Sequence, residues 1–106
     1  MSAAGMRFVI GHDHPALPGH FPGQPVVPGV VVLDRVLEAI EREAGPLPAL
    51  AIPQAKFVQP LLPGEPARIE LEPLAAAPAA RWRFRVLHGE RVVASGEVAA
   101  AAEATP

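Results

Sequence analysis

At 106 residues the chain is read as one domain, residues 1–106, near the lower end of the size at which a single core is comfortable alone, so association with another subunit is expected. Half of the residues are hydrophobic and 19% are charged, which excludes a disordered chain, and a net charge of -2 without blocks of like charge excludes a general nucleic-acid binder. The absence of cysteine removes disulfide and thiolate chemistry, and no run of about 18 apolar residues marks a membrane span, so the chain is read as soluble and cytoplasmic.

Met6 to Ile10 is predicted as a short strand. The next stretch, Gly11 to Gly29, holds five prolines, four glycines and three histidines. An irregular loop of that length in so small a domain is usually functional. Beyond Pro28 and Gly29, the spacing of Val30, Leu33, Val36, Leu37 and Ile40 predicts a helix to Ala44, stopped by Gly45 and Pro46. Val30 to Leu33 is apolar on every side, which predicts a helix start wrapped by other structure, whereas Glu38, Glu41, Arg42 and Glu43 return to solvent.

Four strands are predicted after the helix: Ala49 to Val58, Ala67 to Leu74, Arg81 to Leu87 and Arg91 to Ala99. Charged and apolar side chains alternate in Arg68-Ile69-Glu70-Leu71-Glu72 and in Arg81-Trp82-Arg83-Phe84-Arg85-Val86, as on antiparallel strands with one wet face. Pro63-Gly64-Glu65 and His88-Gly89 read as turns. The Ala-rich end after Val98 reads as a tail, which bounds the folded core at about residues 6–99 with 100–106 outside it. One helix among antiparallel strands demands a curved sheet packed around that helix, an α+β arrangement.

The long loop also carries a motif. His20-Phe21-Pro22-Gly23-Gln24-Pro25 is followed after Val26 and Val27 by Pro28-Gly29, and an acid, Asp34, comes five residues after that glycine. A second patch reads Lys56-Phe57-Val58-Gln59-Pro60-Leu61-Leu62-Pro63-Gly64-Glu65. Both resemble the FabA/FabZ-type 3-hydroxyacyl-acyl-carrier-protein dehydratases, whose patterns are H-F-x-G-x-P with a following P-G and acid, and K-F-x-x-P-x-x-P-G-D. The resemblance covers Met6 to Ala99. It implies the hot-dog fold, a curved antiparallel sheet wrapped around one central helix. It implies dehydration of 3-hydroxyacyl thioesters to trans-2-enoyl thioesters in fatty-acid or polyketide-like biosynthesis, with an acyl carrier protein as partner and neither cofactor nor metal. It also implies a homodimer or a trimer of dimers in which His20 and Asp34, from facing protomers, meet as the catalytic pair.

The residue types suit that chemistry. Removing water requires a base for the C2 proton, and a neutral imidazole, His20, titrates near working pH. An acid must protonate the departing hydroxyl, and Val30, Val31 and Leu37, one turn either side of Asp34, are expected to desolvate its carboxyl. The Gly29 amide at the helix start is expected to hold the thioester oxygen, and Phe21 and Val30 complete the expected substrate-binding set. Three residues depart from the commoner pattern: Asp34 replaces a Glu, Glu38 a Gln, and Arg35 a small residue.

Plainer readings stand beside these. Taken alone, His20 is a turn histidine and Asp34 a solvated helix carboxylate. His12, Asp13, His14 and His20 have a spacing found in zinc sites, yet no further cluster completes a ligand set; His14 is read as a loop residue or as lining the pocket entrance. Arg81, Arg83 and Arg85 form either a solvated strand face or a dock for an acidic carrier protein, and Trp82, Phe84 and Val86 the core behind it. A hot-dog thioesterase and a non-catalytic acyl-binding subunit remain the alternative functions.

Overall fold

The computed structural model describes residues 5–15, 26–45, 49–76 and 79–100. Strand β1 (Gly5–Phe8) precedes helix α1 (Gly29–Ala44), and β2 (Leu50–Phe57), β3 (Ala67–Ala75), β4 (Arg81–His88) and β5 (Arg91–Ala100) follow. The strands form one sheet in the order β1-β3-β4-β5-β2, antiparallel at every step. This is the helix-and-curved-sheet arrangement of a hot dog.

Alternation decides which face of the sheet meets the helix. In β4, Trp82, Phe84 and Val86 are buried while Arg81, Arg83 and Arg85 are exposed. Ile69 and Leu71 of β3 and Ala94 and Val98 of β5 join them on the inner face. The helix returns Val31, Val32, Val36, Ala39 and Ile40 to this core. Each large aliphatic or aromatic side chain so buried contributes about 1.5–3 kcal/mol relative to exposure.

The outer face is held by charge. Arg83 reaches Glu72 at 2.9 Å, Arg81 bonds Glu97, and Arg85 bonds Glu70. Arg68 donates to the Gly89 carbonyl at 2.6 Å and lies 3.5 Å from Glu70. The arginine stripe of β4 is therefore paired with carboxylates of β3 and β5, with Arg68 and Arg85 sharing Glu70, which reduces the local positive field.

Three sequence expectations change. The helix start is not wrapped, because the sheet covers only one side of it: Val31 and Val32 are buried, but Val30 is 66% exposed. The tail begins later than Val98, since Ala99 and Ala100 pair with Ala51 and Leu50, and the Ala100 amide donates to Ala80 O at 2.8 Å. Residues 101–106 lie outside the described residues. The last hairpin turns on Gly89-Glu90, with His88 still in β4 and Gly89 at φ 63°.

Strand β2 forms one edge of the sheet and is exposed at every position from Gln54 to Phe57. Its pairing with β5 shifts register between Ala51 and Gln54, where Pro53 has no amide to give the ladder. Gly96 of β5 is required opposite that shift: a Cβ there would lie 2.1 Å from Gln54 O.

Candidate active site

The segment 16–25, which contains His20 and Phe21, lies outside the described residues. Its flanks are fixed to a common anchor. Before it, the Ile10 carbonyl accepts from the Gly64 amide at 2.8 Å, and after it the Val27 amide donates to Leu61 O at 2.8 Å. The anchor is the turn following β2, itself closed by Glu65 Oε1 accepting from the Leu62 amide at 3.0 Å and by the Glu65 amide donating to Leu62 O at 3.1 Å. Gly64 takes φ +87° there, and His12 packs so close that a Cβ would come within 3.0 Å of its ring. His12 thus has a packing role in this turn.

Helix α1 begins at Gly29 behind Pro28, whose extended backbone (φ -62°, ψ 144°) lets its carbonyl accept from the Val31 and Val32 amides at 3.0 and 3.3 Å. No side chain caps this end. The Gly29 and Val30 amides have no acceptor among the described residues, so two donors at the positive end of the helix remain available to an anionic or polarised oxygen.

Gly29 lines an apolar cleft of about 470 Å³, with Val27, Val32, Phe57, Leu61 and Val93 among its walls. Phe57 lies directly against the helix start: a Cβ on Gly29 would sit 2.7 Å from its Cζ. That ring, 49% exposed, is a site residue that sequence reasoning did not single out, although it stands in the second quoted motif. Only the strand pairing that brings β2 past the helix start reveals it.

Asp34 opens into a different cleft, of about 370 Å³, together with His14, Val31, Arg35, Glu38 and Glu41. Five residues of helix carry Asp34 roughly 140° around the axis from Gly29, and Val30, at roughly 100°, lies between them. Val30 and Asp34 therefore lie on a helix face that the sheet leaves open, and Gly29, under the ring of Phe57, lies at the border of that face. In the isolated chain the Asp34 carboxylate is exposed: Val31 borders its cleft but is itself buried toward the core, and Leu37 is only partly buried.

The two unusual neighbours of Asp34 form one interaction, Arg35 Nη1 meeting Glu38 Oε1 at 3.2 Å across a single turn. His14 lines the same cleft. Among the described residues no group of three or more His, Asp or Glu side chains could hold a metal ion. No helix among them is long and apolar enough to cross a membrane.

Comparison with known proteins agrees with this arrangement. A family model described as ApeI-like, ApeI dehydratase, matches residues 2–97. The 3-hydroxyacyl-[acyl-carrier-protein] dehydratase FabZ of Magnetococcus marinus is 34% identical over 104 residues, covering 89% of this chain and 65% of that protein. The chain spans between 52% and 65% of the length of the first curated FabZ relatives it matches. Among solved structures, the dehydratase heterocomplex ApeI:P from Xenorhabdus doucetiae superimposes with a TM-score of 0.68 at 19% identity, covering 93% of this chain and 95% of that chain. The fluoroacetyl-CoA thioesterase FlK does so with a TM-score of 0.70 at 17% identity, covering 91% and 82%. At these identities the two structures establish the hot-dog fold and no more.

Proposed function

This chain belongs to the ApeI-like dehydratase family, and from that premise we propose that it eliminates water from 3-hydroxyacyl thioesters carried on an acyl carrier protein, giving trans-2-enoyl thioesters. The observation that carries the reading is the open face of α1, where two helix-start amides and a carboxylate are separated by an exposed valine. A thioester carbonyl at the Gly29 amide would have its developing negative charge stabilised by a fixed donor and the helix dipole. The acyl chain then runs over Val30 or into the apolar cleft beside Phe57, and its C3 hydroxyl turns toward Asp34.

In the proposed reaction His20 takes the C2 proton, the released electron pair becomes the C2=C3 bond, and the C3–O bond breaks. Asp34 donates its proton to the departing hydroxyl, which leaves as water. Returning the proton from His20 to Asp34 completes the cycle without cofactor or metal. Phe21 is proposed to line the acyl channel beside His20.

The open face calls for a cover, because the exposed Val30, Phe57 and Val58 are apolar surface without a use in the isolated chain. We infer that a second subunit supplies it and brings its own His20 to Asp34, as a dimer or a trimer of dimers working in the cytoplasm. An identical copy is the partner proposed; the ApeI:P heterocomplex makes a non-identical dehydratase subunit the alternative to test. The deciding experiment is mass spectrometry of 3-hydroxyacyl carrier-protein substrates of several chain lengths incubated with the protein. A product lighter by one water supports the reading, a free acid marks a thioesterase, and unchanged substrate marks a non-catalytic subunit.

A further inference from the structure

The apolar cleft beside Gly29 has a single polar side chain in its lining, that of Gln59, just past the end of β2. Gln59 is tied to β5 at both ends. Its backbone amide donates to Val93 O at 3.3 Å, as the Val58 amide does at 2.8 Å, and its side-chain Oε1 accepts from Arg91 Nη1 at 3.0 Å. An arginine can only donate, so this contact decides which end of the carboxamide is which: the oxygen is taken by Arg91, and Nε2 keeps two hydrogens to donate. Nε2 has no acceptor among the described residues. An apolar cleft with one held donor suits a ligand that is apolar along most of its length and carries an acceptor at one place.

The chemistry of the substrate supplies such a ligand. Carrier proteins and coenzyme A present acyl groups on the same pantetheine arm, in which two methylenes separate the thioester sulfur from an amide. The two substituents of a thioester carbonyl carbon diverge. With that carbonyl at the Gly29 amide and the acyl chain running over Val30 toward Asp34, the sulfur leads the other way, past Phe57 into the apolar cleft. We propose that Gln59 binds the first amide carbonyl of the arm through Nε2, with Arg91 as the positioning residue that holds the carboxamide in the donating orientation. The methylenes then lie against the apolar wall and the amide meets the one donor in it. This rests on the dehydratase reading above for the placement of the thioester carbonyl.

A contact remote from the reacting atoms is made equally in the ground and transition states, so it shows in KM rather than in kcat. The probes are 3-hydroxyacyl thioesters of N-acetylcysteamine, which carries that amide, and of a simple alkyl thiol of the same length, which does not. The preference for the amide-bearing thioester, as a ratio of kcat/KM values, should fall about fivefold in Gln59→Leu, the worth of one hydrogen bond between neutral groups. Gln59→Glu is the sharper test, because its carboxylate still accepts from Arg91 but has no hydrogen to donate. A role confined to holding the chain after β2 against β5 survives that substitution, whereas arm recognition is lost. Arg91→Met frees the carboxamide and should lower the preference in part. Each ratio is taken on one preparation, so a variant that folds less well lowers both rates and leaves the ratio unchanged. The same acyl group presented on carrier protein and on coenzyme A then tells which of the two brings the arm, by the larger kcat/KM.

A second measurement needs no turnover. S-hexyl-N-acetylcysteamine, a thioether that can be neither dehydrated nor hydrolysed, should shift the side-chain Nε2 resonances of Gln59 in 15N-labelled protein and leave those of Gln54 in place. An unchanged ratio in Gln59→Glu, or Gln59 resonances that stay still, overturns the arm assignment. A wild-type protein that dehydrates nothing while the thioether shifts Gln59 strikes the dehydratase reading and leaves the arm assignment standing.

Discussion

Gly29 joins two demands at one residue: in the proposed reaction its amide reaches a substrate oxygen, and its missing Cβ makes room for Phe57. Alanine is the better helix former by about 1 kcal/mol, so Gly29→Ala would stabilise the helix were space the only other consideration. Space is lacking, and a contact of 2.7 Å forces the ring or the helix start to move. We expect a net destabilisation of about 1–2 kcal/mol in urea unfolding, offset when Phe57→Leu is added, as overpacking predicts. The proposed catalytic pair has a separate expectation. His20→Ala and Asp34→Asn should each lower turnover at least about a hundredfold with the far-ultraviolet circular dichroism unchanged, and near-wild-type turnover in either would sink the assignment. The placement of Asp34 and Gly29 on one helix was legible because their separation is a fixed count along it. The contact between Gly29 and Phe57 was not, because it joins residues far apart in sequence, and no local pattern encodes which ring lies over which glycine.

At the scale of elements, β3 and β4 were legible to within a residue or two because charged and apolar side chains alternate along them, and alternation is what a sheet with one dry face imposes, whereas β5 was bounded by its turn and not by alternation. The helix was legible in extent but not in rotation. Its first turn is apolar all round, and only packing decided that Val31 and Val32 turn inward while Val30 is left in the open. Composition likewise showed the arginines of β4 but not their partners, because strand register sets Glu70 opposite Arg85 and Glu72 opposite Arg83. That register has a pH signature. The hydrogen bond from Arg85, aided by the charges of Arg85 and Arg68, holds the Glu70 carboxyl below its ordinary proton affinity against a smaller opposing effect of burial. A carboxyl whose folded-state affinity is depressed contributes stability above its unfolded-state midpoint and loses it as pH falls through the folded-state value. Glu70→Gln should therefore cost under about 1 kcal/mol near pH 7, a partly exposed pair being screened, and nothing once the solution is acidic enough to protonate Glu70 in both states. Urea unfolding at pH 7 and at a descending series of acidic pH values measures both; a loss that stays equal throughout would mean that packing, not charge, is what the substitution removes.

The molecule as a whole leaves one side of its helix uncovered, and that side holds Val30 and Asp34 with Gly29 at its border. A chain of 106 residues buries a smaller fraction of its surface than a larger domain, so covering this face would serve stability and chemistry together. If the cover is a second copy, a two-fold relation makes two equivalent sites, each taking His20 from one protomer and Asp34 from the other. His20→Ala and Asp34→Asn are each inactive as homodimers under this model, since every site lacks one member. Mixed and refolded together, about half of the dimers become heterodimers by random pairing. Each heterodimer pairs the intact His20 of one chain with the intact Asp34 of the other at one site, while its second site is doubly defective. One good site in half of the dimers returns about a quarter of wild-type turnover per chain. Subunit exchange is confirmed separately by a tag on one variant, so that a failure to mix is not read as a failure to complement. Confirmed exchange with no recovered turnover would mean that His20 and Asp34 act within one chain, or that the covering subunit is a different protein.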